Sequence, residues 1–327
     1  MLWKGADAHC DLLMKLAAGE ELWDPAPFRH WGGKKAQAAG VVLQFLSLFV
    51  SPDLGWQAPA LTALERVERL YQEVARHPAF YLVRWRQDLA AAEAGSGLGL
   101  VLAFEGGEPL QGQLWLLHLF YRLGVRVVGL TWNLRNELGD GVEEERGAGL
   151  TGFGRRVVAE AGRLGMVVDV SHLSPAGFRD VAQRVAGPFM ASHSNARALS
   201  PHPRNLSDGQ LREIAAHQGW VGVNFCPEFL RDPADEAGLE DVVDHIAYVS
   251  SLIGPQFVGI GSDFDGVSHL PKGLAGVQDL PRLADALQRK GFTPQEVGGI
   301  MGGNLLAFLG RTLPAAPRPD GDEHGNV

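Results

Sequence analysis

Apolar runs of strand length alternate with longer amphipathic segments along nearly the whole chain. Eight runs stand out, at residues 5–9, 41–50, 98–105, 125–132, 165–172, 188–193, 220–226 and 257–263. Most are apolar at consecutive positions, as in VVLQFLSLFV (41–50) and GMVVDVSH (165–172). Strands of that kind need cover on both faces, which marks a parallel sheet clothed by helices. Helical patterns fall between them, at 61–76, 87–94, 109–123, 152–164, 175–185, 208–217, 239–252 and 280–290. Several carry start signals. Ser174 stands before Pro175, a cap oxygen followed by a proline at the first helical position. Ser207 with Gln210, and Thr293 with Glu296, have capping-box spacing. A last helix is expected over 294–310. Eight βα units predict an α/β protein with a closed (β/α)8 (TIM) barrel and an extra C-terminal helix; an open doubly wound sheet is the runner-up.

No low-complexity linker interrupts residues 1–312, which read as one barrel domain. The tail 313–327 is rich in Pro, Gly and Asp and is expected to be disordered. The long polar segment 134–151, with EEER at 143–146, reads as a solvated loop, a partial lid being the lesser alternative. Nearly half of the 327 residues are apolar, ample for a large core, and the formal charge of −9 argues against nucleic acid or an anionic membrane surface as partner. Two cysteines, Cys10 and Cys226, make no disulfide framework; as buried thiols they fit a reducing, cytoplasmic setting. MLWKGADAHCDLL has no signal-peptide pattern, and no apolar run approaches the roughly 20 residues of a membrane helix.

In such a barrel the chemistry sits at the C-terminal ends of the strands. His9 and Asp11 lie at the end of the first run, Glu105 closes the third, His172 the fifth, His193 the sixth and Asp263 the eighth. Six residues of zinc-ligand or proton-carrier type thus fall on one rim. His9 and Asp11 share strand parity and can hold one cation together. Glu105 ends an apolar strand, where an acid is costly to bury unless paired, and a carboxylate can bridge two metals. His172 and His193, each preceded by a serine on successive strand ends, point to a second metal. Asp169 reads as support for a histidine. Asp263 and Asp265 also share parity; Asp263, nearer the strand, is favoured as the proton carrier.

These residues, and the stretches DAHCDLL, AFEGGEPL, YRLGVRVVGLTWN, VVDVSHLS, ASHSNAR, HPRNLSD and GIGSDFDGV that hold most of them, resemble the membrane (renal) dipeptidases, peptidase family M19, zinc peptidases with an amidohydrolase-like barrel. The resemblance runs from about Asp7 to Leu309. It implies two Zn2+ ions: His9 and Asp11 on one, Glu105 bridging and catalytic, His172 and His193 on the other. It further implies Arg204 gripping the substrate carboxylate and Asp263 as catalytic aspartate. The expected reaction is hydrolysis of a dipeptide by a hydroxide held between the ions; a homodimer is also implied. One departure concerns Trp132, which stands where the mammalian enzymes have a substrate-contacting histidine; an indole cannot titrate or bind zinc. Asn133 is then expected to supply a polar substrate contact. The alternatives are a barrel of the same kind acting on a β-lactam, lactone or N-acyl amide, and a non-hydrolytic metal-binding relative.

Overall fold

The computed structural model describes residues 3–51 and 58–316. Nine strands form one parallel sheet: β1 (Gly5–Asp7), β2 (Val41–Phe49), β3 (Phe80–Leu82), β4 (Leu98–Glu105), β5 (Val125–Gly129), β6 (Val167–Asp169), β7 (Met190–Ala191), β8 (Trp220–Val223) and β9 (Val258–Ile260). Their order is β2-β1-β9-β8-β7-β6-β5-β4-β3, and β2 also pairs along β4, which closes eight of them into a barrel. The expected barrel is therefore present, with one strand beyond the expectation. β4 gives one whole edge to β2; its other edge is shared, Leu98–Leu100 with β3 and Leu102–Phe104 with β5.

Alternation along β4 shows how the sequence aims its side chains. Leu98, Leu100, Leu102 and Phe104 pack outward with the helices, in the larger apolar cluster. Val101 and Ala103 pack instead with Ala6, Phe45, Val127, Val167, Met190 and Trp220, one from each of six other strands, and only the barrel interior can gather these. Glu105 has the parity of Val101 and Ala103, so it points into the mouth. Asp169 shares parity with Val167 in the same way.

The eight expected helices between strands are present, with Ser174, Ser207 and Thr293 capping as foreseen. The helix expected over 294–310 is broken instead: Pro294–Gly298 and Asn304–Thr312 are separated by an irregular turn at Gly299–Gly303. A Cβ on Gly302 would lie 2.2 Å from the Lys4 carbonyl oxygen, so this turn abuts the start of β1. Leu305, Leu306, Phe308 and Leu309 then join the interior cluster. The tail expected to be loose from residue 313 starts packed: Leu313 is buried, and Arg86 N donates to the Pro314 carbonyl. The rest of that expectation, 317–327, lies outside the described residues. Among the described residues no helix is long and apolar enough to cross a membrane.

Candidate active site

Most candidate residues lie just past the strands rather than on them. β1 ends at Asp7, β6 at Asp169, β7 at Ala191 and β9 at Ile260. His172, Asp263 and Asp265 have φ near +65°, so strand parity does not govern where they point. Asp263 faces the mouth. Asp265 turns away, its oxygens accepting from the backbone N–H groups of His30 and Trp31, both at 3.0 Å.

His9, Asp11, Glu105, His172, His193 and Asp263 converge at one buried centre. Glu105 stands between two groups of ligand atoms. Its Oε2 is 3.4 Å from His9 Nε2, which is itself 3.3 Å from Asp11 Oδ2 and 3.9 Å from Asp263 Oδ1. Its Oε1 is 3.2 Å from His172 Nε2 and 4.0 Å from His193 Nε2. The His9 and His193 rings stack with centroids 3.7 Å apart, joining the two groups. Atoms of His9, Glu105 and His193, and likewise of His9, Asp11 and Asp263, all lie within 4.8 Å of one another, close enough to surround an ion.

The hydrogen bonds behind the rings decide which nitrogens are bare. His172 Nδ1 is 2.6 Å from Asn133 Oδ1, while Asn133 Nδ2 donates to Glu143 at 2.9 Å. An amide oxygen only accepts, so His172 carries its proton on Nδ1 and presents a lone pair at Nε2. Ser192 Oγ donates to Asp169 Oδ2 at 2.5 Å and so accepts from His193 Nδ1 at 2.7 Å; His193 Nε2 is bare as well. The two bare nitrogens face each other at 2.8 Å beside the Glu105 carboxylate. Among the described residues, His9 Nε2 is buried without a hydrogen-bond partner. Converging lone pairs and an orphaned buried nitrogen are what cations satisfy, so the residues fit a metal centre.

Burial disfavours charge on His172 and His193 and, with Arg204 and His9 nearby, holds both well below the usual histidine range. Burial also works against a charged His9 ring, but Glu105 and Asp11 outweigh it and raise that group. Burial, then Asp11, pushes the Glu105 carboxyl up to about 8. Burial raises Asp263 as well, countered by His9 and by the Asn224 amide that donates to its Oδ2 at 2.9 Å.

The mouth opens into a cleft of about 570 Å3, lined by Phe49, Trp132, Arg204 and Phe229 beside the metal-type residues. That is the size of a small-molecule site. Arg204 is buried; its η-nitrogens donate to Ser194 Oγ and the His193 carbonyl, and its Nε–H has no partner among the described residues. Trp132 packs edge-on against Phe49, with centroids 5.3 Å apart. Asn133 lines the cleft, as a substrate contact would need, and its amide is also engaged by His172 and Glu143. In the run at 143–146, Glu143, Glu145 and Arg146 are exposed as expected, and Glu144 accepts from Arg135 N.

Of the positioning residues, Asp169, which reaches His193 through Ser192, was expected from sequence, whereas others were not. Ser47 donates to Asp11 Oδ1, and Asn224 is clamped by Asn195 before it reaches Asp263. Asp7, buried and with its carboxyl pushed up to about 6 by that burial, accepts from Ser262 N and Oγ. Polar residues inside buried runs, such as Asn224 in WVGVNFC, were the available signal.

A family profile, Membrane dipeptidase (Peptidase family M19), matches residues 3–316. The Dipeptidase aclJ of Aspergillus oryzae is 43% identical over 213 residues, 64% of this chain and 50% of that protein; the match thus spans about half the length of this relative. The solved dipeptidase AC, a metallopeptidase of family M19, superimposes with a TM-score of 0.90 at 31% identity, covering 96% of this chain and all of that one. A metallopeptidase from Rhodobacter sphaeroides, solved with a phosphinate mimic of the dipeptide L-Ala-D-Ala, gives a TM-score of 0.88 at 30% identity, covering 95% and 99%. The chain belongs to the membrane dipeptidase family, peptidase family M19.

Proposed function

We propose that this protein hydrolyses dipeptides with two divalent cations, zinc being the expected metal. One cation would be held by His9 and Asp11, the other by His172 and His193, with Glu105 between them. One observation carries the reading: the two oxygens of Glu105 face two different sets of ligand atoms, His9 with Asp11 on one side and His172 with His193 on the other. Bound divalent cations supply a Lewis acid for the scissile carbonyl and lower the pKa of water to roughly 7.

The chain's own groups do the rest. Arg204 offers its free Nε–H and its positive charge to the substrate's terminal carboxylate, favouring short substrates that end in the cleft. Asp263, with a carboxyl that burial makes readier to hold a proton, takes the proton of the attacking water and passes it to the leaving amine. Asn224 fixes Oδ2 of Asp263 and leaves Oδ1 toward the centre. Trp132 and Phe49 form an apolar wall that orients substrate without exchanging protons.

The test loads purified protein with zinc, counts the ions, and assays a panel of L,L- and L,D-dipeptides beside β-lactams, lactones and N-acyl amides. The expected outcome is two equivalents and dipeptide hydrolysis. A protein that binds two equivalents yet cleaves no dipeptide would refute the peptidase assignment.

A further inference from the structure

His172 is steered from outside the cage by a relay of two side chains. Its Nδ1 meets Asn133 Oδ1 at 2.6 Å, and Asn133 Nδ2 meets Glu143 Oε1 at 2.9 Å. The backbone ties the same three residues together: Glu143 N donates to the Asn133 carbonyl at 2.9 Å, and Val142 N to the His172 carbonyl at 2.8 Å. The loop is braced by Arg135, which grips both oxygens of Asp140, and by Ala148 N, which donates to the same carboxylate.

An asparagine amide can face a histidine in either of two orientations. With the oxygen inward it accepts from Nδ1–H and leaves Nε2 as a lone pair. With the NH2 inward it needs a lone pair at Nδ1, which puts the proton on Nε2 and disables that nitrogen as a ligand. Nothing in the His172–Asn133 pair alone selects between them. The selection comes from the other end, because a carboxylate accepts only and so demands the NH2 group.

We propose that Glu143 is a positioning residue for the centre: by accepting from Asn133 Nδ2 it fixes the amide, and through it the ligating tautomer of His172. This rests on the reading of His172 as a metal ligand. It gives the acidic run at 143–146 a function beyond solvation and makes the loop 133–144 part of the second cation's support.

The experiment titrates metal-free full-length protein with Zn2+ by calorimetry, counts equivalents, and records the thermal midpoint of the metal-free form. Glu143 is solvent-exposed, so Glu143→Lys is compatible with folding. A lysine donates only and turns the Asn133 oxygen outward. The expected result is an unchanged midpoint, one equivalent bound as in wild type, and the other weakened about 10–100-fold, the usual scale for lost outer support of a ligand. Glu143→Gln can still accept from Asn133 and should stay within about threefold of wild type. Glu145→Lys makes the same charge change at an exposed neighbour and should leave both affinities intact. Wild-type affinities in Glu143→Lys, or equal weakening in Glu145→Lys, overturn the relay. Fewer than two equivalents in the wild type would overturn the two-cation reading itself, and the relay with it.

Discussion

Gly266 gives the sharpest separation between fold and chemistry. It lies one residue past Asp265, exposed at the cleft wall, with φ outside the left-handed region, so alanine fits its backbone. A Cβ there would fall 2.1 Å from Asp263 Oδ1 and 2.3 Å from Asp11 Oδ2, against a floor of 3.0 Å that real contacts essentially never breach. Moving Asp263 Oδ1 from 2.1 to 3.0 Å requires an excursion of about 0.9 Å. Both atoms are ends of side chains, so the polypeptide can yield. The centre cannot, because these oxygens face His9 and the cleft. A displacement near 1 Å at a reacting group costs about 100-fold in rate, or about 2.7 kcal/mol of transition-state stabilisation. Gly266→Ala is therefore expected to keep the thermal midpoint of the metal-free protein within a few degrees while kcat/KM for a dipeptide falls about 100-fold. Differential scanning calorimetry and steady-state kinetics on zinc-loaded protein measure the two. A variant with more than a third of wild-type kcat/KM would show that Asp11 and Asp263 tolerate displacement, and would refute a tight cage.

Four further outcomes follow from the geometry. Glu105→Ala should lose both metal equivalents and all measurable hydrolysis together, by metal analysis and assay of the same sample; retention of both ions would exclude the bridging role. Comparing metal-free Glu105→Gln with wild type isolates that carboxyl's pH dependence. Its pKa is raised from 4.5 to about 8. The folded form thus binds the proton more tightly than the unfolded form, and stability from this group is lost as pH rises between those values. The variant should gain on wild type in thermal midpoint across pH 4.5–8, and a gap that narrows with pH would contradict the assignment. Arg204→Lys should lower kcat/KM for dipeptides about 100-fold, the scale of one or two charge-assisted hydrogen bonds, while C-terminally amidated dipeptides, expected to be poor substrates for wild type, should change little; an equal fall for both would remove the carboxylate role. Ser192→Ala cuts the Asp169–Ser192–His193 chain and should weaken one zinc equivalent about 10–100-fold, read by titration, with unchanged affinity counting against it.

What the sequence could reveal follows from how each feature is encoded. Continuous apolar runs such as those of β2 and β4 announce a two-sided burial that few other structures need, so the barrel was legible. β3 was not, because Phe80–Leu82 is too short to carry a period. The break in the terminal helix was written in the glycines at 298, 299, 302 and 303, yet the need for it comes from a distant partner, the chain at Lys4. The converging residues could be nominated because acids and histidines ending buried strands are expensive without partners. Their orientation could not: His172, Asp263 and Asp265 turn on left-handed backbone, which an alternation argument does not foresee. Asn133 illustrates the limit, since its chemistry suited a substrate contact and its links to His172 and Glu143 appear only in the structure.

The seam between β1 and β9 bears on how the site resists heat. Asp7 binds Ser262 across it, Ala8 N reaches the Ile260 carbonyl and Asp11 N the Phe264 carbonyl, so the chain's first strand is stitched to its last. β1 is only three residues long and carries His9 and Asp11 in its wake. β1 pairs with β2 on its other edge, so loosening it would open the barrel there and carry off His9 and Asp11, two of the six converging residues. Heat inactivation should then precede global melting, and a zinc ion that held His9 and Asp11 to Glu105 would delay it.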